Sequence, residues 1–157
     1  MIAALDFGIT TGWATSTGLS GTWDLSIRKD ESSGMRLIRF EDKLRTLVRS
    51  GASVVVFEAI SARQGKNTNQ NAITLHVKLQ AILERLAVEM GFEHKSYNNQ
   101  SIKKRAGARN KAEIMAAAEK VFPKQHITDD NQADALWCLQ LALEEFDGTE
   151  AANSKGS

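Results

Sequence analysis

The sequence predicts an α/β domain with a mixed five-stranded sheet, in which an antiparallel meander is continued by parallel strands and flanked by helices. Three observations predict this class. The chain begins with short apolar runs joined by tight turns. Two further apolar runs follow, each preceded by a segment with helical periodicity, and the rest of the chain has helical patterns. The chain has 157 residues, of which 42% are hydrophobic, so it can bury one core.

The first three predicted strands follow one another with only short turns between them. Ile2 to Phe7 is an apolar run typical of a buried strand, and the runs Gly12 to Ser16 and Leu19 to Ile27 flank the turn at Thr17 and Gly18. Sequential strands joined this closely pair as antiparallel neighbours. We therefore expect a three-stranded meander at the start of the chain.

Helices and strands alternate after the meander. Apolar residues at helical spacing follow Gly34, and a second helical pattern ends at Gly91. The run between them has apolar residues on both faces, which is typical of an interior strand covered by helices. The predicted elements are a helix from Met35 to Val48, a strand from Ser53 to Glu58, a helix from Ala72 to Glu89 and a strand from Phe92 to Tyr97.

Three helical segments complete the predicted order. A short helical turn covers Asn99 to Arg105, a helix capped by Asn110 covers Lys111 to Val121, and the last helix covers Asn131 to Phe146. This order of strands and helices is that of a ribonuclease H-like architecture.

Composition narrows the class of protein. Cys138 is the only cysteine, which excludes a disulfide framework and a cysteine-rich zinc site. No apolar stretch reaches the roughly 20 residues of a membrane span, and no signal-like segment opens the chain, so we expect a cytoplasmic protein. Residues 1–147 are expected to form one ribonuclease H-like domain, and the small, polar residues 148–157 a disordered tail.

The formal net charge of +1 hides an uneven distribution. Basic residues predominate from Lys95 to Lys124, and acids predominate from His126 until Lys155. A basic segment beside an acidic one is what a metal-dependent nuclease requires, because one attracts phosphates and the other binds cations. Two solvated helix faces would give the same pattern.

Three acidic residues stand where buried elements end or begin. Asp6 and Glu58 end two strands that lie side by side in the predicted sheet, and Asp134 lies one turn into the last helix among small and apolar neighbours. Converging carboxylates repel unless cations lie between them, which predicts a magnesium site built from oxygen ligands. Two ions roughly 3.5–4 Å apart could cleave a phosphodiester without a protein nucleophile.

Other polar residues precede Asp134 on the same helix face. Asp130 and Asn131 come three or four positions earlier and could ligate or position a metal ion or water. Helix capping is the alternative for these residues, and for Asp129 it is the better interpretation. The three histidines have no metal-ligand spacing, and no nucleophile triad is evident.

These motifs, taken in order, resemble the RuvC family of Holliday junction resolvases, in particular the short versions of bacteriophages, within the ribonuclease H-like superfamily. The resemblance covers roughly Ile2 to Leu143. It implies a metal-dependent endodeoxyribonuclease that resolves four-way DNA junctions by paired symmetric nicks. Its carriers are Asp6-Phe7-Gly8 followed by Thr11-Gly12-Trp13-Ala14, then Phe57-Glu58, then Ile102-Lys103-Lys104 with Gly107 and Lys111, and finally Ala133-Asp134-Ala135-Leu136.

The resemblance places the family's metal-binding acids on Asp6, Glu58 and Asp134. The family's fourth position, commonly Asp or His, is Asn131 here, so either Asn131 or Asp130 would complete the catalytic site. The implied cofactor is Mg²⁺, for which Mn²⁺ can substitute, with two ions in each active site.

Basic residues near these acids are the predicted DNA contacts. The family lysines that hold DNA near the scissile phosphate correspond most nearly to Lys103 or Lys104 and to Lys111. The polar loop from Ser61 to Asn71 contains no acid and can donate to phosphates. An aromatic residue that often follows the second acid in bacterial members has no counterpart here. The predicted DNA-binding residues are Lys103, Lys104, Arg105, Lys111, Arg63 and Lys66.

The resemblance also implies a homodimer, because a resolvase nicks two symmetric strands of a junction. The long helix from Ala72 to Glu89 carries apolar residues on more than one stripe, enough for a core face and a partner face. A helix buried within one domain would give the same pattern. Neither a membrane nor a small-molecule cofactor is expected as a partner, and the expected compartment is the cytoplasm of a bacterium or of a phage-infected cell.

Other functions share parts of this pattern. A YqgF-like nuclease acting on RNA, or a nuclease for a broader set of branched DNA, would use the same acids. The segment from Asp6 to Thr11 also resembles the first phosphate motif of the sugar kinase, actin and Hsp70 superfamily, but 157 residues hold one such domain and no later phosphate loop follows. A non-catalytic junction-binding protein would be expected to have lost an acid, and all three are present.

Overall fold

The computed structural model describes residues 1–60 and 69–155, with side chains as far as Asp147. The predicted disordered tail, residues 148–157, lies outside the residues whose side chains are described.

The sheet has five strands in the order β3-β2-β1-β4-β5. The meander pairs β1 with β2 and β2 with β3 in antiparallel fashion, and β1 with β4 and β4 with β5 are parallel. The mixed five-stranded sheet predicted from the sequence is therefore confirmed. The strands are β1 (Ile2–Asp6), β2 (Thr10–Thr15), β3 (Ser20–Asp24), β4 (Val54–Glu58) and β5 (Glu93–Tyr97).

Five helices surround the sheet in the described part of the chain. The side chain of Asn110 caps α4 by accepting from the backbone N–H of Glu113, as the sequence predicted. The last helix begins one residue before its predicted start and continues beyond Phe146. The helices are α1 (Gly34–Arg49), α2 (Gln70–Met90), α3 (Asn99–Ala106), α4 (Lys111–Val121) and α5 (Asp130–Lys155).

Strand alternation decides which side chains face which layer. Ala3 and Leu5 of β1 belong to the core formed with α1 and α2, whereas Ala4 packs into the second core, formed with α3, α4 and α5. In β4, Phe57 belongs to the first core. Side chains two residues apart on a strand share a face, so Asp6 lies with Ala4 on the α5 side of the sheet. Neighbouring side chains lie on opposite faces, so Glu58 lies opposite to Phe57 and therefore also on the α5 side. Both therefore end their strands on the same face.

The first turn of α5 lies directly against β2. Gly12 pairs with Asp6 across the β1–β2 ladder, and a Cβ atom built on Gly12 would lie 1.9 Å from the backbone oxygen of Asn131. Only a residue without a side chain permits this approach. The packing of α5 against the sheet also uses Ala4, Ala14 and Ala133, which are fully buried. Small residues thus bring the start of α5 next to the end of β1.

Buried polar contacts hold α5 in this position. Gln132 is 3% exposed, and its Nε2 donates to Ser20 Oγ at 3.0 Å and to the backbone oxygen of His126 at 3.1 Å. Its Oε1 accepts from the backbone N–H of Thr128 at 3.1 Å. The amide therefore ties the start of α5 to the preceding loop and to β3.

We expect Gly12→Ala to lower the free energy of unfolding by about 1–3 kcal/mol or more, because the new methyl group must displace a helix backbone rather than a side chain. The measurement is urea unfolding. The matched control is Gly34→Ala, where the nearest heavy atom to a built Cβ is Ser32 Oγ at 3.5 Å and the backbone lies at a helix start. The control should change stability by less than about 1 kcal/mol. Equal effects of the two substitutions would contradict the close-packing argument.

Candidate metal centre

Three carboxylates meet at the carboxyl ends of the two central parallel strands. Asp6 ends β1, Glu58 ends β4, and Asp134 projects from the second turn of α5. One oxygen of each lies within 4.8 Å of the others, and all three residues are partly buried. The structure thus brings together the three acids that the sequence indicated, from positions that are distant in the chain.

Burial and mutual repulsion make these acids hard to ionise together. Burial raises the pKa of Asp6 well above its usual value, and the charges of Asp134 and Glu58 raise it further. The pKa of Asp134 rises to about 7, mainly through burial and then through Glu58 and Asp130. Burial also raises the pKa of Glu58. A cluster that resists carrying several negative charges is one that a cation would stabilise.

Two lysines moderate the negative field of the cluster. Lys111, the first residue of α4, forms an ion pair with Asp130 at 2.7 Å and lowers the pKa values of Asp6, Glu58 and Asp134. Lys103 of α3 lowers the pKa values of Glu58 and Asp134. Two of the predicted DNA contacts thus lie within electrostatic range of the acids.

The residues next to Asp134 have different surroundings. Asp130 lies close enough to raise the pKa values of Asp6 and Asp134, although its own pKa is lowered by the hydrogen bond from Lys111. The side chain of Asp129 accepts from the backbone N–H of Asn131 at 2.8 Å, which is the helix-capping role expected for it. Asn131 is partly buried, and its backbone oxygen faces Gly12.

The remaining predicted DNA contacts are distributed along α3 and beyond. Lys104 is exposed. Arg105 faces α5, where its Nε donates to both carboxylate oxygens of Glu144 at 2.7 and 2.9 Å, and its guanidinium lies 5.9 Å from the Trp137 ring centre. Arg63 and Lys66 lie outside the described residues.

One neighbour of the cluster was missed by sequence reasoning. The Nδ2 of Asn99, at the start of α3, donates to Glu58 Oε1 at 2.8 Å. Asn98 and Asn99 are two polar residues at the start of a helical segment. Only Asn98 caps the helix, since its side chain accepts from the backbone N–H of Ser101. The contact of Asn99 spans 41 residues and has no local signal.

Solved structures share this fold, and two of them are structures of Thermus thermophilus RuvC. The structure of Thermus thermophilus RuvC in complex with a Holliday junction substrate matches with a TM-score of 0.66 and 18% identity, over 87% of this chain and 88% of that chain. The Thermus thermophilus RuvC structure matches with a TM-score of 0.64 and 18% identity, over 87% and 89%. No protein-family model and no curated protein sequence matches. The likeness shows the fold, and the ribonuclease H-like prediction is confirmed.

The donor set fits a hard divalent cation. Three carboxylates offer oxygen ligands within the span of one small site, and cysteine and histidine are absent from the cluster as far as the described residues extend. Bound cations would relieve the repulsion that raises these pKa values. Asp6, Glu58 and Asp134 are therefore the residues that would hold the metal.

No helix in the described part of the chain is long and apolar enough to cross a membrane.

We expect the metal-free protein to lose stability as the pH rises from about 4 to about 7, because Asp134 keeps its proton over this range only in the folded state. The folded state retains a proton on Asp134 up to a pKa of about 7, whereas the unfolded chain releases it near 3.8. The folded state thus binds more protons in this range, and its stability falls as pH rises.

Urea unfolding in EDTA at the lower and the upper end of this pH range measures the loss of stability. Asp134→Asn should show a smaller fall than the wild type, and Asp42→Asn, an exposed acid on α1, should fall as the wild type does. Mg²⁺ should restore more stability at the higher pH, because the ligands must be deprotonated. Parallel pH dependence in wild type and Asp134→Asn would contradict the argument.

Proposed function

We propose that the protein is a metal-dependent endonuclease that resolves four-way DNA junctions by paired symmetric nicks. The observation that carries the proposal is the convergence of Asp6, Glu58 and Asp134 at one end of a RuvC-like sheet. The similar Thermus thermophilus protein is described in complex with a Holliday junction substrate, which favours branched DNA over RNA or nucleotides as the substrate class.

The acidic residues of the cluster would bind the metal ions. Asp6, Glu58 and Asp134 hold Mg²⁺ or Mn²⁺, two ions in each site, with Asp130 or Asn131 as the fourth group. Bound there, the ions supply an activated water and charge stabilisation of the leaving 3′ oxygen.

Basic side chains would position the DNA. Lys103 and Lys111, which already lie in the field of the acids, would hold the scissile phosphate, and Lys104 the adjoining backbone. Arg105 would contact DNA only by giving up part of its pairing with Glu144. Arg63 and Lys66 remain candidates from the sequence. The proposed setting is the cytoplasm of a bacterium or of a phage-infected cell.

We expect Asp6→Asn, Glu58→Gln and Asp134→Asn each to lower junction cleavage at least about 100-fold, since several kcal/mol of metal-derived stabilisation are lost. Junction binding should be retained or strengthened, because removing negative charge near phosphates favours association. The assay is cleavage of a labelled four-way junction in Mg²⁺, with gel-shift binding in EDTA.

The matched control is Asp42→Asn, an exposed acid on α1, which should cleave as the wild type does. Duplex DNA, splayed DNA, structured RNA and ATP serve as parallel substrates. Symmetric nicks confined to the junction support the proposal. Preferred cleavage of RNA would instead favour a YqgF-like activity, and cleavage of all branched forms a broader nuclease.

A homodimer would present two active sites to the two symmetric strands of a junction. Its proposed interface is the outer face of α2, where Val77 and Val88 lie on one side of the helix and are 54% and 88% exposed. Three other apolar residues of this helix, Leu75, Leu79 and Ile82, belong to or pack against the core with α1. Charges at those three positions would test folding rather than association.

We expect the double substitution Val77→Arg and Val88→Arg to convert a dimer of the 17.2 kDa chain into monomers, because it places charge across an apolar contact. Light scattering measures the mass. Ile38→Arg, at an apolar side chain of α1 that is 53% exposed, is the matched control and should leave the dimer intact. A wild type that is monomeric and still makes paired nicks would refute the dimer.

A further inference from the structure

The Glu58 carboxylate is held by a neighbour outside the acidic cluster. Glu58 pairs with Tyr97 across the parallel β4–β5 ladder, so the chain that leaves β5 passes directly beside it. Two residues later, Asn99 begins α3 and places its Nδ2 2.8 Å from Glu58 Oε1. Both side chains are partly buried. The pairing of β4 with β5 thus brings the two side chains into hydrogen-bonding distance, and both are partly removed from water.

This contact distinguishes Glu58 from the other two acids. Glutamate has one more rotatable bond than aspartate, so its carboxylate needs an additional contact to keep one orientation. Among the described residues, Asp6 and Asp134 accept no side-chain hydrogen bond, whereas Glu58 accepts one from an amide. An amide N–H cannot give up its proton to the carboxylate, and it carries no charge that would repel a cation. Asn99 therefore orients Glu58 without competing electrostatically for the metal.

The hydrogen bond also limits what Glu58 can offer. A carboxylate oxygen has two lone pairs, and one on Oε1 is already occupied by Asn99, while Oε2 remains available. Binding through both oxygens is common for Ca²⁺, which takes six to eight ligands in flexible geometry, whereas Mg²⁺ requires near-octahedral geometry. A glutamate that is fixed in one orientation, with one lone pair of Oε1 engaged and Oε2 fully available, favours the ion with the stricter geometry.

We propose that Asn99 is a positioning residue that orients Glu58 toward the metal centre and biases that centre toward Mg²⁺ and Mn²⁺ over Ca²⁺. The inference rests on the metal centre of the proposed function and deepens it by assigning ion selectivity to a side chain that is not itself a ligand. Removing the amide would free Glu58 to rotate and would leave every lone pair of both oxygens available to a metal ion.

The test uses the full chain without DNA and the metals alone. Binding of Mn²⁺ is followed by electron paramagnetic resonance of the free ion, with Mg²⁺ and Ca²⁺ as competitors. In Asn99→Leu and Asn99→Ala, affinity for Mg²⁺ should fall by about 10- to 100-fold, as is typical when a partner of a metal ligand is removed. Affinity for Ca²⁺ should fall less, so that the Mg²⁺/Ca²⁺ selectivity ratio drops at least about fivefold.

The matched control is Asn98→Ala, which removes the hydrogen bond that caps α3 but none to Glu58. It should leave the selectivity ratio unchanged. Thermal unfolding midpoints in EDTA, measured for all variants, distinguish unfolding of the protein from loss of the Glu58 orientation. Leucine and alanine at position 99 differ in size, and the test needs only one of the two variants to fold.

Each outcome decides a different point. Unchanged affinities in both Asn99 variants, or an equal loss for Mg²⁺ and Ca²⁺, would overturn the role of Asn99 while leaving the metal centre intact. The same loss of selectivity in Asn98→Ala would assign the effect to α3 as a whole and overturn the proposal. A wild type that binds none of the three ions would overturn the metal centre itself.

Discussion

The contact between the first turn of α5 and Gly12 is the constraint on which the site depends. Asp6 and Glu58 lie at one end of the sheet because β1 and β4 are parallel and in register, and strand alternation puts both on one face. Asp134 joins them only if its helix lies against the β1–β2 ladder. The absence of a side chain at Gly12 permits that approach, and small buried residues extend the close contact along the sheet. Helix packing and metal-site geometry are therefore one property of the fold.

The same packing has an electrostatic cost. Asp6, Glu58 and Asp134 are drawn together in a partly buried place, and burial is the largest cause of the raised pKa of each. The two apolar cores on either side of the sheet stabilise the fold against this repulsion. A bound cation would relieve this repulsion, so metal binding at the cluster would raise the stability of the fold.

The helices after β5 complete the surroundings of the acids. α3 contributes Asn99 and Lys103, and α4 contributes Lys111, each within the hydrogen-bonding or electrostatic range of the cluster. The acids and the nearest cations thus come from different elements that converge at one edge. Such an arrangement would attract a phosphate to the point at which the acids would bind a cation.

Much of the fold follows from local patterns. Alternating apolar runs, tight turns and helical periodicity predicted the strands, their antiparallel and parallel pairing, and the Asn110 cap. The strand-end positions of Asp6 and Glu58 followed too, because parallel neighbours end at the same edge. The sequence placed the start of β2 two residues late, at Gly12 rather than Thr10, since the glycines and threonines from Gly8 to Gly12 resemble a turn, whereas the ladder pairs Thr10 with Asp24.

By itself, the sequence determined the order of elements, the end of the sheet at which the strand-end acids lie and the presence of a third acid near the start of the last helix. Only the tertiary structure decided that Asn99 holds Glu58, that Lys111 pairs with Asp130, that Arg105 turns to Glu144 and that Leu79 faces the core. The reason is physical: periodicity reports which side of an element is apolar, but a contact between distant residues depends on how closely two packed elements approach.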